Sequence, residues 1–579
     1  MLKPGLWGSY AGLSVLLVTP FLYAAEGPDL TADQLQTVQQ SHELLPMSAF
    51  TPPSTITPAQ HRFAGRLQFS GAEIFSSFVT HKDQFQQVGD EDSPARHIPS
   101  FSYDLVQWDK HLIPVQRGPR DFGHPHWQMI LEPGRVWQEE GDGDYSRAAM
   151  PFALQEYQAN CTHNGVLTFR YSSEGAISHM AYQVSSETCL YMQADMWGML
   201  DVRYIPAEII GAESVVANYQ QELQSRMPQK PIEALANDFP GFDTKQLAHP
   251  EEVSPSALSV YGVVADGVHY RSKCLTRAGN YPFCDELTLP SYSLAKSAFA
   301  GAALMRLEYL YPGTKDLLTA DYVPQCVDSG NWNDVTFAHL LDMSTGNYLS
   351  DHYHGDESAD HVSALFFRKY THAEKINYSC NYFPRKTMPG TDWHYRTSNT
   401  YILGTAMNAF LKQQRGPGAD IFDDLLVPDI FGMLNMSPVS GTTLRSDDAV
   451  AQPLAGFGLS LQPGDMAKLA DFFNQLRDGS KDLLDQSMVR GALQLPSNDG
   501  GAASEEGSSR YNNGFWAAPF KDIAGCEEAQ WIPFMSGYGG ITVAILPNGL
   551  NYYYVSDGGE FAWGRAAREL ARAKPLCAD

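Results

Sequence analysis

From about residue 60 to 205, apolar and polar positions alternate in short runs broken by Gly, Pro and Asn, a pattern of strands and hairpins. Trp127–Glu132 meets Pro133-Gly134 before Arg135-Val136-Trp137, which predicts a turn there. Asn164-Gly165 separates Gln155–Ala159 from Val166–Tyr171 and predicts a hairpin turn. The pattern then changes. A polar helical piece near Val215–Arg226 is followed by Pro228, Pro231, Pro240, Pro250 and Pro255, spaced as in a connection. Beyond it Leu258–Val264 reads as a strand and Asp266-Gly267 as a turn. An apolar, Ala-rich run from Ala298 to Met305 reads as a helix buried on most sides, stopped by Pro312-Gly313. The expected architecture is α+β: a β-rich, sandwich-like or barrel-like unit over 26–227, a linker over 228–256, and a mixed unit over 257–579 with helices flanking an antiparallel sheet.

Residues 1–25 carry an early charge, Lys3, then an apolar run over Ala11–Val18 and small residues at Ala24-Ala25, the order of a secretory signal peptide. An uncleaved N-terminal anchor is the alternative reading. No later stretch is apolar for long enough to span a bilayer. Eight cysteines, at 161, 189, 274, 284, 326, 380, 526 and 577, follow that leader, and none forms a Cys-x-x-Cys. An even count in an exported chain favours disulfides, and joining neighbours in sequence is the simplest of many pairings. The expected location is periplasmic or secreted. With 66 acidic against 40 basic residues, the net charge of −26 weighs against a nucleic-acid partner. The sequence assigns no oligomeric state.

The chemistry centres on Ser293-Leu294-Ala295-Lys296, at the start of the buried helix. Positions i and i+3 share a helix face, so Lys296 would sit over Ser293. A serine hydroxyl needs a base, and a lysine serves only if its pKa falls. Burial and the positive end of the helix dipole both act in that direction. Taken alone, the four residues also fit an N-cap followed by a solvated lysine.

Three later stretches occur in a telling order. Val335–Asn347 reads as a threonine-led helix followed by small residues. Pro389-Gly390-Thr391-Asp392-Trp393-His394-Tyr395 precedes Tyr401-Ile402-Leu403-Gly404, and Gly537-Tyr538-Gly539-Gly540 precedes an apolar strand, Ile541–Leu546. Smaller echoes lie at Gly456–Leu459, Pro463–Leu469 and Tyr511–Trp516. Together with Ser293 and Lys296 these resemble the serine β-lactamase and penicillin-binding-protein superfamily over about 258–575. That resemblance implies a β-lactamase/transpeptidase-like catalytic domain and an acyl-enzyme mechanism. Ser293 would be the nucleophile, Lys296 the base and Tyr395 the proton shuttle, with Tyr401 a nearby competitor for that last role. Backbone N–H groups of Ser293 and of the stretch Gly537, Tyr538, Gly539, Gly540, on an edge strand, would hold the oxyanion. The same glycines also fit a plain tight turn. Such a mechanism needs no metal or organic cofactor.

Two departures narrow the substrate. Where β-lactamases and D,D-peptidases carry an asparagine two residues after the tyrosine, this chain has Thr397. The third motif, Met535-Ser536-Gly537-Tyr538-Gly539, lacks their cation, and a carboxylate-bearing substrate would lose a contact of about 1.5–3 kcal/mol. The resemblance is therefore closer to the esterase and 6-aminohexanoate-dimer hydrolase branch, implying a small-molecule ester or linear amide as substrate. A D,D-peptidase or β-lactamase, or a non-catalytic binding module on the same fold, are the alternatives. His124-Pro125-His126 and His352-Tyr353-His354, the latter with Asp356, Glu357, Asp360 and His361, have zinc-like spacing. The second set reads as a solvated loop at the cleft mouth, and no metal site is expected.

Overall fold

The computed structural model describes residues 30–37, 43–53, 57–477, 479, 481–496, 500–504, 507–521 and 523–577. The expected leader, 1–25, lies outside them. Nine strands make the first sheet: β1 (Ala64–Asp83), β2 (Phe101–Trp108), β3 (His111–Pro114), β4 (Trp127–Leu131), β5 (Gly134–Trp137), β6 (Ser146–Glu156), β7 (Thr162–Tyr171), β8 (Met180–Thr188) and β9 (Met192–Pro206). All pairings are antiparallel. Strand β6 bonds to β7 on one edge and to β4 and β5 in succession on the other, so the ring β6-β5-β3-β2-β1-β9-β8-β7 closes on itself. The β-rich unit is thus a barrel, and closure leaves its ring without free edges. Leu67, Tyr103, Leu105, Leu154, Phe169 and Tyr171 fill its interior.

Two expected turns are not turns. Asn164 and Gly165 lie inside β7, opposite Ala153 and Phe152 of β6. A β-carbon at Gly165 would stand 2.6 Å from the Phe152 ring, so glycine serves close strand packing here and not a positive φ. The chain reverses instead over 157–161, where Gln158 takes the left-handed conformation (φ 58). Pro133-Gly134 likewise joins two pieces that run along the same edge of β6, Trp127–Leu131 against Phe152–Glu156 and Arg135–Trp137 against Arg147–Ala149.

The stretch 228–256 is anchored at intervals to the second sheet. Gln229–Pro231 forms β10, parallel to the strand Val268–Arg271, and Ile232, Leu235, Phe242, Leu247 and Val253 are buried beneath the second sheet. That sheet adds β11 (Leu258–Ala265), β12 (Val268–Arg271), β13 (Ala502–Ser504), β14 (Ser509–Asn512), β15 (Phe515–Phe520), β16 (Gln530–Gly537), β17 (Ile541–Ala544) and β18 (Asn551–Ser556). Its order is β10-β12-β11-β18-β17-β16-β15-β14-β13. Alternate residues face opposite ways. Ile541, Val543, Tyr553 and Val555 join the core of the helices 302–310, 397–415 and 463–475, while Ala544, Tyr552 and Tyr554 join that of the helix Gly564–Ala573. This is the helix-flanked antiparallel sheet expected for 257–579. Strand β16, which ends in the glycine-rich stretch, is interior and not at an edge, because β13–β15 extend the sheet beyond it.

Barrel and sheet meet at an apolar junction. Ala149, Val166, Ala181, Trp197 and Met199 on the barrel's outer face share one core with Tyr281, Leu287 and Leu289, just ahead of Ser293. Four disulfides join cysteines that are neighbours in sequence: Cys161–Cys189, Cys274–Cys284, Cys326–Cys380 and Cys526–Cys577. Among the described residues no helix is long and apolar enough to cross a membrane.

Candidate active site

Ser293 does not open a regular α-helix. It sits in a 3-10 turn, Tyr292–Leu294, followed by a π-type segment, Lys296–Gly301, before the α-helix Ala302–Leu310 begins. A tight turn brings i and i+3 nearly into eclipse, and π segments are frequent at functional sites. Tyr292 enters this turn with φ 42, a left-handed conformation that a tyrosine holds only under constraint. The result is a partly exposed Ser293 whose neighbours Ser291, Leu294, Ala295 and Lys296 are all buried.

Lys296, 1% exposed, places Nζ 2.9 Å from Ser293 Oγ, 2.9 Å from Thr397 Oγ1 and 3.1 Å from the Gly456 carbonyl oxygen. Burial lowers its pKa to about 8, against the pull of the Glu357 carboxylate, which raises it. The three partners fit the neutral amine. Gly456 offers only an acceptor. The Thr397 hydroxyl donates to Glu357 Oε1 and so turns a lone pair toward the lysine. These two take two of the Nζ protons, so the remaining position on nitrogen, a proton in the ammonium and a lone pair in the neutral amine, faces Ser293 Oγ.

Tyr395 is buried against Trp393, Tyr511 and Trp516, with Lys296 Nζ 5.0 Å from its ring centre. The Ser293 hydroxyl is among the groups that act on the Tyr395 hydroxyl, lowering its pKa slightly. Burial, and then Glu357, hold its pKa well above the ordinary phenol range, so it remains a protonated donor at neutral pH. Tyr401, the competitor, is turned away and bonds His372 Nδ1 at 2.9 Å. Arg396 runs under the site, donating to Thr345 Oγ1 and Asn399 Oδ1, and so ties the 335–347 motif to the Tyr395 motif.

In the glycine-rich stretch the residues divide. Gly537, the end of β16, lies so near the nucleophile turn that a β-carbon would stand 2.5 Å from the Ser291 carbonyl oxygen. Gly539 and Gly540 have φ 93 and 107 and form the turn into β17. Tyr538 points outward, 41% exposed, its ring edge-on to Tyr292.

Two contributors escaped the sequence reading. Glu357 belonged to the stretch taken as a solvated loop, yet it accepts the Thr397 N–H at 2.8 Å as well as its hydroxyl proton. Thr397 marked a departure from the related enzymes. That departure was the available signal, since a changed residue beside the base implies a changed partner. As for the paired histidines, His124 caps its own turn by accepting from the His126 and Trp127 N–H groups. His354 stacks on Trp516 beside Tyr395. Among the described residues no group of three or more His, Cys, Asp or Glu is placed to hold a metal ion.

No protein-family model and no curated protein matches this sequence. Solved structures do. A Bacillus anthracis protein provisionally described as a 6-aminohexanoate-dimer hydrolase is 15% identical, over 59% of this chain and 80% of that one, with a TM-score of 0.40. A penicillin binding protein from Bacillus halodurans is 16% identical, over 59% and 99%, with a TM-score of 0.40. A family VIII carboxylesterase is 15% identical, over 62% and 98%, again at 0.40. These are groups that the motifs resemble. Likeness at this level decides nothing about the reaction, and the chemistry is argued from the residues around Ser293.

Proposed function

We propose that this chain is an exported serine hydrolase of the β-lactamase-like kind that opens an ester or linear amide through an acyl-enzyme on Ser293. The observation that carries the reading is the buried Lys296 amine, held by Thr397 and the Gly456 carbonyl with Nζ 2.9 Å from the Ser293 hydroxyl oxygen. Ser293 Oγ attacks the carbonyl carbon while its proton passes to Lys296 Nζ. The oxyanion is held by N–H groups of Ser293 and of the Gly537–Gly540 stretch. The leaving oxygen or nitrogen takes a proton from Tyr395, which Lys296 restores. Water, deprotonated through the same groups, then releases the acid and frees Ser293.

A raised Tyr395 pKa and a lowered Lys296 pKa support the lysine as base and the tyrosine as donor. The Thr397 hydroxyl is engaged by Glu357 and Lys296, which argues for a substrate that asks no amide contact there, unlike a β-lactam or peptidoglycan peptide. Four disulfides support an oxidising compartment, periplasmic or extracellular, with 1–25 as the export signal.

Intact-mass spectrometry after exposure to a fluorophosphonate tests the assignment. One adduct on the wild-type chain and none on Ser293→Ala is expected; an adduct that persists in the variant sinks the proposal. A second expectation concerns Glu357. Its carboxylate raises the Lys296 pKa, so Glu357→Gln lets that pKa fall further. The rising limb of kcat/KM against pH, set by loss of the Lys296 proton, is expected to move to lower pH. A limb that stays in place or moves upward removes Glu357 from the base's environment.

A further inference from the structure

The geometry points to a task for the N-terminal barrel: through Asn160 it holds the nucleophile and its base in register, making Asn160 a positioning residue of the active site. The inference rests on Ser293 being the nucleophile. Asn160 lies in the β6–β7 turn of the barrel and is 1% exposed. Its side-chain oxygen accepts three hydrogen bonds from the catalytic half of the chain: the Tyr292 N–H at 3.0 Å, the Gly458 N–H at 2.8 Å and the Ser291 hydroxyl at 3.4 Å. Its amide nitrogen donates to the Leu459 carbonyl at 3.5 Å.

Each partner bears on the chemistry. Tyr292 is the residue before the nucleophile and the one in left-handed conformation, which a side chain of this kind adopts at a cost unless its surroundings impose it. A hydrogen bond to its N–H is such an imposition. Gly458 stands two residues from Gly456, whose carbonyl takes a Lys296 N–H. One amide oxygen therefore joins the segment that aims Ser293 to the segment that orients Lys296. Between these two segments the Ser291 N–H bonds Leu459 O at 2.9 Å, and the Leu459 N–H bonds the Ser291 hydroxyl at 3.1 Å.

The barrel is built to keep Asn160 still. Cys161, the next residue, is bonded to Cys189 in the β8–β9 turn. The Thr162 hydroxyl donates to the Asn160 carbonyl at 3.0 Å, and the Glu156 N–H bonds Cys161 O at 2.8 Å across the turn. On either side, Gln155 Nε2 donates to Ser460 Oγ at 3.0 Å, and Asn164 exchanges bonds of 2.8 and 3.0 Å with the Thr288 backbone. The barrel thus grips the catalytic half at both chain segments that meet under Ser293.

The test is the second-order rate of fluorophosphonate labelling on the full chain, with melting temperature followed in parallel. Asn160→Ala is expected to slow labelling by about 10²-fold, the scale of a small misplacement of reacting groups. Asn160→Asp, which keeps the accepting oxygen, is expected to recover most of it. Glycine adopts left-handed backbone without a side-chain penalty, so Tyr292→Gly is expected to soften the Asn160→Ala loss by at least fivefold when the double variant is compared with Tyr292→Gly alone. A merely structural Asn160 predicts no such coupling. Should Asn160→Ala not fold, Asn160→Ser, which withdraws the oxygen from Tyr292 and Gly458 but leaves a polar group, carries the same expectation. Labelling of a folded Asn160→Ala or Asn160→Ser at the wild-type rate overturns the inference, as does additivity in the cycle. Failure of the wild-type chain to label at Ser293 overturns instead the reading on which the inference rests.

Discussion

Lys296→Met is expected to lower kcat/KM for an activated ester by about 10³-fold, within the 10²–10⁴ range of a positioned general base. The unbranched side chain fills much of the same volume, so the loss is of chemistry and not of packing. It leaves Ser293 without an acceptor for its proton, and it removes the donor from Thr397 Oγ1 and the Gly456 carbonyl. Stability is expected to hold, because burial already disfavours the lysine's charge and the variant relieves that penalty. The wild-type pH profile carries the same argument. A base of pKa about 8 is active when neutral, so the rate rises with pH through about 8 and levels above it. The residual rate of Lys296→Met is expected to lack that limb. A variant within tenfold of wild type, or one that keeps the limb, transfers the role of base to another group.

Gly537→Ala is expected to lower kcat by about 10²-fold, comparable with removal of one oxyanion-hole donor. The added methyl group would stand 2.5 Å from the Ser291 carbonyl oxygen and 3.1 Å from Ile541 Cβ. The first of these is backbone, so β16 and the Ser293 turn must part, and the N–H groups proposed to hold the oxyanion part with them. Overpacking of this kind also costs about 1–3 kcal/mol of stability. Gly262→Ala is the matched comparison. In β11, its β-carbon would meet the Tyr553 ring at 2.7 Å and the Tyr270 carbonyl at 2.9 Å, with no part of the Ser293 turn among those contacts. A similar fall in melting temperature with kcat retained is expected there. Equal loss of kcat in both variants would reduce the Gly537 effect to general destabilisation.

Much of the site was legible in the residues because its chemistry is local. Ser293 and Lys296 meet through a spacing of three, and the Ala-rich run behind them announces the burial that lowers the lysine's pKa. Tyr395 was placed by motif order, and the structure separates it from Tyr401 by giving the latter a histidine partner. Strand alternation, the Asp266-Gly267 turn and the threonine that caps the helix Phe337–Leu341 are likewise local signals, and each is where the sequence predicts it.

What the sequence misread has one physical origin, which is that a residue's use depends on what lies across from it. Asn164-Gly165 has the composition of a turn, but the Phe152 ring opposite requires a residue without a β-carbon, and Thr288 occupies the asparagine. Glu357 has the composition of a solvated loop until Thr397 is brought against it. Residue types and near-neighbour spacing alone pointed to the α+β class, to a serine with a lysine one turn on, and to disulfides whose pairing they left open. Only the tertiary structure decided that the β-rich unit closes into a barrel, that β16 is interior, and that Thr397 and Glu357 are brought to the Lys296 amine. It alone also set Asn160 beneath the Ser293 turn, far along the chain. Such contacts join segments with no fixed spacing, and the energy that selects them is that of the folded packing as a whole.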